Sequence, residues 1–217
     1  MREQFLPFSP PPVGEEEIAE VAESLRSGWL TTGPRVRAFE ERFAELVEAP
    51  SAVAVNSATA AMHIALAVLG IRPGDEVITT TMTFCSSIHV IEHVGARPVL
   101  VDVEPDTLNI DPERVRAAIT PRTRAILPVH LYGHPADQDA IQSIAREHGL
   151  AVVEDAAHAL PARYRGRMIG SAAEGVDNLV AFSFYATKNL TTGEGGMLTA
   201  DPAVLDRARI VSLHGMS

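Results

Sequence analysis

Cysteine is almost missing from this chain. Cys85 is the only one in 217 residues, so no disulfide can close within it. That usage points to a reducing compartment, and a cytoplasmic location is expected. Long apolar runs are missing as well. The most apolar stretch, 52–71, is interrupted by Asn56, Ser57, Thr59 and His63. It reads as a strand followed by a buried helix, not as a membrane span. The first residues, MREQFLPFSPPPVGEEE, lack the apolar core of a secretion signal. Basic charge is scarce: 18 Lys and Arg stand against 28 Asp and Glu, a net charge of −10. This argues against a nucleic acid or an anionic membrane as partner. A small phosphorylated ligand needs only local donors and stays open. Neither a Walker-type loop nor a G-x-G-x-x-G is present, which removes two familiar nucleotide-binding readings. There are no internal repeats and no low-complexity linker.

What is there belongs to a soluble globular chain: 46% hydrophobic and 21% charged residues, enough for one large domain with a sizeable core. After a proline-rich arm the pattern predicts an amphipathic helix at 15–27, a Gly/Pro loop at 28–34 and a second helix at 35–47. An alternation follows. Short apolar strands are predicted at 52–55, 76–80, 97–101, 125–129, 151–153, 179–184 and 196–199. Helices are predicted between and after them at 58–69, 84–93, 112–119, 137–148 and 202–213. Such an alternation means an α/β fold with a mostly parallel sheet covered by helices on both faces. In these sheets ligands bind beyond the carboxyl ends of the strands.

The candidate chemical residues collect at those ends. Lys188 follows an apolar strand within AFSFYATKNLTTGEGGML, at 181–198, among serine, threonine and glycine rather than in a charge run. Burying an ammonium is costly unless its pKa falls or it forms a covalent bond. A lysine that forms a Schiff base with an aldehyde cofactor suits the setting. A loop lysine with its stem on the strand suits it too. Asp155 closes a strand and faces the crevice, where it can pair with a protonated pyridine nitrogen or merely cap a loop. His158 can lie against a cofactor or be a hydrogen-bonded structural residue. Asn56-Ser57-Ala58-Thr59-Ala60 opens a helix, which suits a phosphate, although Ser57 or Thr59 can simply cap it. Phe84 can stack on a flat ring or belong to the core. His89-Val90-Ile91-Glu92-His93 matches the H-x-x-E-H pattern of a zinc peptidase class, though it falls inside a βα series.

Several long motifs carry a resemblance: GWLTTGP at 28–34, NSATAAMHIAL at 56–66, GDEVITTTMTF at 74–84, DVEPDTLNID at 102–111, PVHLYGHPADQDAI at 128–141, VVEDAAHALPARYRGRMIGS at 152–171 and FSFYATKNLTTGEGGML at 182–198. In this order they resemble the DegT/DnrJ/EryC1/StrS family of pyridoxal-phosphate sugar aminotransferases, which have the aspartate aminotransferase fold. FLPFSPPPVGEEE and the GWLTTGP loop look most like the branch that makes 4-amino-4-deoxy-arabinose on a UDP carrier.

The resemblance implies roles. Lys188 is the expected Schiff-base lysine and Asp155 the partner of the pyridine nitrogen. Phe84 stands at the ring-stacking position and His158 beside the ring. Thr59, Ala60 and Ser183 are expected to hold the phosphate, and Thr31 to line the sugar site. A dehydratase branch has histidine where this chain has Lys188, so lysine favours amino transfer. The implied cofactor is pyridoxal 5′-phosphate and no metal is expected. The implied substrates are an amino donor, by analogy glutamate, and a keto sugar on a nucleotide, serving polysaccharide, lipopolysaccharide or glycosylated-metabolite synthesis. Family members pair as homodimers with shared active sites, and a neighbouring subunit normally supplies an Asn to the phosphate. Residues 1–34 are expected to form an arm, helix and substrate loop, and 35–217 a large cofactor-binding domain without the small C-terminal one. The alternative expectation is a remnant that folds and dimerises without turnover.

Overall fold

The structure, a computed structural model, describes residues 5–215. Residues 1–4 of the expected arm and 216–217 of the expected large domain lie outside the described residues.

Two helices lead the chain, α1 (Glu15–Ser27) and α2 (Pro34–Leu46). The start of α1 is fixed by Glu17, whose carboxylate accepts from the Gly14 N–H at 2.7 Å. Its end is fixed by Gly28, whose φ of 72° a side chain would disfavour. The αβ alternation then runs β1 (Ala52–Val55), α3 (Ala58–Val68), β2 (Glu76–Thr80), α4 (Ser86–His93), β3 (Arg97–Val101), α5 (Pro112–Ala118), β4 (Thr123–Leu127), α6 (Gln138–His148) and β5 (Ala151–Asp155). A two-stranded hairpin follows, β6 (Arg163–Tyr164) and β7 (Arg167–Met168), and then β8 (Asn178–Ser183), β9 (Gly196–Thr199) and α7 (Pro202–Ser212). Aspartates open the later helices. Asp111, Asp137 and Asp201 each accept a backbone N–H of the first turn, and proline follows Asp111 and Asp201 at the first helical position.

The seven strands predicted from the alternation form one sheet in the order β1-β9-β8-β5-β4-β2-β3. Only β9 runs against the others. Alternate residues of each strand feed opposite faces. Val77, Val153, Leu179, Ala181 and Leu198 pack with α3, α4 and α7. Ile78, Ile126 and Val152 pack with α5 and α6, and Val180, Phe182 and Met197 pack with α2. Both faces are therefore buried, as a parallel sheet requires. Under α2, Phe43 meets Phe182 and Phe184 with ring centroids 5.0 and 5.2 Å apart. Each such buried ring contributes on the order of 2–3 kcal/mol.

The outer strand β1 would offer free backbone groups to another chain. Glu40 and Arg209 stand in for the missing neighbour strand. Glu40 accepts from the Ala54 N–H at 2.8 Å, and Arg209 donates to the Ala52 carbonyl at 3.0 Å. The two side chains also pair with each other at 2.7 Å. This clasp ties α2, β1 and α7 together and closes the edge. The small hairpin is not foreseen from the alternation. Its turn, Arg165-Gly166, has φ of 47° and 86°, which suits the tight turn of a two-residue hairpin.

Candidate active site

The carboxyl ends of β1, β2, β5 and β8 lie on one side of the sheet, where the chain leaves the strands for loops and helix starts. Asp155 is the last residue of β5 and is buried. Its Oδ2 accepts from the Ser87 hydroxyl at 2.7 Å, and its Oδ1 accepts from the Ala157 N–H at 3.1 Å. Ser87, fully buried on α4, is in turn 2.7 Å from the Thr83 hydroxyl. The carboxylate thus has only neutral hydrogen-bond donors, and no Lys or Arg among the described residues forms an ion pair with it. A carboxylate kept charged in such a place calls for a cation.

Lys188 lies in the loop after β8, half-buried, with its N–H donating to the Tyr185 carbonyl at 2.9 Å. Burial pushes its ammonium below the usual lysine range, and the charge of Asp155 pulls it partly back. His158 follows Asp155 by three residues and feels both charges. Desolvation and then Lys188 push its imidazole down, while Asp155 pushes it up. Lys188, Asp155 and His158 therefore share one electrostatic neighbourhood. The carboxyl end of β5, the turn after it and the loop after β8 thus bring the sequence-predicted aspartate, histidine and lysine together.

Phe84 is not a core residue. It stands 74% exposed between β2 and α4. Helix α4 begins at Ser86 rather than at 84, leaving the Phe84 ring in the connecting segment. A large exposed ring in the segment between β2 and α4 is available for stacking.

The start of α3 serves two of the readings at once. Ser57 Oγ accepts from the Ala60 N–H at 3.1 Å, so the cap is present. The Ala60 donor is thereby engaged. The N–H groups of Ala58 and Thr59 have no partner inside a helix and remain available to an anion. Ser183 ends β8 opposite Gly196 of β9, which also pairs with Val55 of β1. These pairings put Ser183 one strand removed from β1, the strand that leads into α3, with β9 between them. Glycine is required at 196, because a Cβ there would lie 2.4 Å from the Ser57 carbonyl carbon. Within the GEGG motif, Gly196 is thus a close-packing requirement beneath the start of α3.

Thr31 is placed differently. It is exposed in the loop before α2 and lines a cleft of about 1670 Å³ that reaches Asn56, Ala60 and Glu194. It shares that cleft with Ala60 but not with Lys188 or Asp155. The zinc motif finds no geometry to support it. His89 and His93 lie on the exposed side of α4 with ring centroids 6.4 Å apart. No group of three metal-ligating side chains converges among the described residues.

Sequence reasoning missed Ser87 and Glu154. Ser87 is a polar residue in the same helical stripe as Val90 and Ile91, and that position was its signal. Glu154 is buried on the opposite face of β5 from Asp155. It accepts from His130 Nε2 at 2.6 Å and from the Gln138 amide at 2.7 Å. His130 Nδ1 accepts from the Ala136 N–H at 3.1 Å, which assigns the ring proton to Nε2.

Known proteins resemble the chain along nearly all of its length. The chain is 57% identical over 217 residues to the spore coat polysaccharide biosynthesis protein SpsC of Bacillus subtilis (strain 168), covering 100% of this chain and 55% of that protein. It superposes on Spr1654 of Streptococcus pneumoniae, described as a sugar aminotransferase and solved in its PLP form, with a TM-score of 0.91 and 40% identity over 98% of this chain and 59% of that one. It superposes on DesI, solved in the presence of its TDP-sugar product, with a TM-score of 0.90 and 38% identity over 100% of this chain and 55% of that one. The chain spans a little over half the length of these relatives. Residues 11–217 match a single family along almost the whole chain, and the protein belongs to the DegT/DnrJ/EryC1/StrS aminotransferase family.

Proposed function

We propose that this chain is the cofactor-binding part of an aminotransferase that moves an amino group onto a keto sugar carried by a nucleotide. The observation that carries the reading is Asp155, a buried carboxylate held by neutral donors alone and facing a lysine of lowered basicity. That pair fits pyridoxal phosphate, whose protonated ring nitrogen is the cation Asp155 lacks and whose aldehyde takes a lysine amine. When bound, this cofactor supplies an electron-accepting ring for carbon–hydrogen bond breaking beside an amine.

The chain's own residues then divide the work. Lys188 Nζ would be the amine that holds the cofactor aldehyde, and its free amine would be the base that moves a proton at the donor α-carbon. Its lowered pKa keeps more of the amine unprotonated near neutral pH. Asp155 holds the ring nitrogen in its charged form. Phe84 would offer its exposed ring to one face of the cofactor, and His158, whose pKa lies below the ordinary imidazole value, would stand beside it. The N–H groups of Ala58 and Thr59, with the Thr59 and Ser183 hydroxyls, hold the phosphate. Ala60 contributes to that turn of helix although its own N–H is engaged. Thr31, across the cleft that also contains Ala60, contacts the sugar.

The sugar class draws support from the relatives, one concerned with a coat polysaccharide and one solved with its TDP-sugar product. The arm and GWLTTGP loop point further, to a 4-keto sugar on UDP. Glutamate is the proposed donor, and a homodimer with shared sites the proposed assembly. In this division residues 1–34 serve the substrate side and 35–217 hold the cofactor.

The test is borohydride reduction of the purified chain with pyridoxal phosphate, followed by peptide mapping. Cofactor fixed on Lys188 supports the reading; cofactor fixed elsewhere, or on a Lys188→Ala variant to the same extent, defeats it. Turnover of glutamate with UDP- and TDP-linked keto sugars then distinguishes the carrier.

A further inference from the structure

Tyr132 has an unusual backbone for a tyrosine. Its φ of 51° and ψ of 27° lie in the left-handed region, which a bulky side chain adopts only under constraint. Burial does not hold it there, since the residue is 83% exposed. Glycine or asparagine would make the same turn with less strain.

A frame of hydrogen bonds imposes the turn. Asn109, buried, accepts from the Leu131 N–H at 3.1 Å and donates to the carbonyls of His134 and Pro135 at 3.0 and 3.1 Å. The His130 N–H donates to the Asp155 carbonyl at 3.0 Å, which anchors the start of the turn to β5. Gly133 rests against the backbone of His158, so closely that a Cβ there would lie 2.8 Å from the His158 carbonyl oxygen. The frame lays the Tyr132 ring against the His158 ring, with centroids 5.8 Å apart and planes 6° from parallel. That is an offset stack, a favourable geometry for two flat rings.

We propose that Tyr132 is a positioning residue, whose ring, held by the Asn109 frame, fixes the plane of the His158 imidazole at the active site. Its bearing on catalysis rests on the reading that His158 lies beside the cofactor. One face of the imidazole meets the tyrosine ring. The charged groups that face His158 are Lys188, from the loop after β8, and Asp155, from β5. Tyr132 adds no charge at neutral pH. It takes water off one face of the ring, in line with desolvation as the main cause that lowers the His158 pKa.

The test is an NMR titration of the His158 imidazole in the whole chain, without cofactor, for wild type, Tyr132→Phe and Tyr132→Gly. Thermal unfolding is followed alongside. Tyr132→Phe keeps the stack and should titrate as wild type. Tyr132→Gly relieves the backbone and removes the ring, and the His158 midpoint should rise toward its ordinary value of 6.5. Asn109→Ala should move it the same way. An unchanged His158 titration in Tyr132→Gly overturns the proposal, whatever happens to thermal stability. So does an equal shift in Tyr132→Phe, which would make the hydroxyl the active group. Failure of the cofactor reading shows separately, as loss of the borohydride label on Lys188 with the Tyr132 effect intact.

Discussion

Two buried carboxylates stand near opposite ends of the same parallel sheet. At the amino ends, Glu76 opens β2. It accepts from the Thr120 hydroxyl at 2.6 Å, from Arg97 at 2.7 Å and from Arg122 at 2.5 and 2.8 Å. At the carboxyl ends, Asp155 closes β5 with one serine hydroxyl and one backbone N–H. Glu76 has every need met by the fold, so its charge stabilises the chain and is available for nothing else. Asp155 is held in place without a counter-ion, so it is oriented but still wants a positive partner. Glu154 shows that lack of a cation is not sufficient by itself, since it too has only neutral donors, His130 and Gln138. What separates Asp155 is its face of the strand and the charge of Lys188 nearby.

Asp155→Asn breaks the comparison at its functional end and carries the largest expected effect. An amide keeps the Ser87 contact but cannot support a pyridinium charge. Turnover of the active protein should fall by about a hundredfold or more, equivalent to ~2.7 kcal/mol of barrier. Stability to urea should fall by about 1 kcal/mol, because the amide loses the acceptor for the Ala157 N–H while no ion pair is lost. Unchanged turnover would remove the proposed role of Asp155.

Glu76→Gln acts in the opposite sense, on stability rather than on chemistry. The hydrogen bond from Thr120, followed by those from Arg97 and Arg122, holds the Glu76 carboxyl down to about 2, against an ordinary value of 4.5. A folded pKa below the unfolded one means the contribution is complete above pH 4.5 and lost as pH falls toward about 2. Both arginines reach into water, which screens the pairs and leaves neither cation stranded when the carboxylate is removed. The expected loss at neutral pH is about 2 kcal/mol. Between pH 4.5 and 2 the wild type should lose stability faster than Glu76→Gln; parallel curves would contradict the assignment.

The distinction between the two carboxylates was only half visible in the sequence. Asp155 was legible because strand periodicity places it at a carboxyl end. Glu76 was read only as the start of a strand, since its partners come from Thr120, Arg122 and Arg97, remote in sequence. The strands themselves were legible, and 52–55, 76–80, 97–101 and 196–199 are observed with the predicted bounds. Apolar runs bounded by Gly, Pro and Asp leave little freedom there. Helix α4 was read two residues too early because Phe84 fits its apolar stripe, while the structure leaves that ring in the open. Ser87 was legible in principle as a polar residue in a buried stripe. Tyr132 was not: a left-handed tyrosine is imposed by Asn109 and by contact with His158, and no local pattern announces either.

The Glu40–Arg209 clasp provides the finest test, because it lies between the two extremes. Glu40 is buried, with one arginine and one backbone N–H as partners. If compensation by the fold marks a structural carboxylate, Glu40 should behave like a weaker Glu76. Arg209→Met keeps much of the apolar stem and removes the guanidinium. It leaves the Glu40 carboxylate beside the strand with only the Ala54 N–H and frees the Ala52 carbonyl. Arg209 is partly in water, so water can enter where the guanidinium stood, and the expected loss is about 1 kcal/mol. The more telling change is in association. With its edge unblocked, β1 offers a backbone acceptor to a second chain. Sedimentation velocity should therefore show more self-association in Arg209→Met than in wild type at the same concentration. A variant that loses stability but gains no association would make the clasp a tie between helices and leave the edge protected by something else.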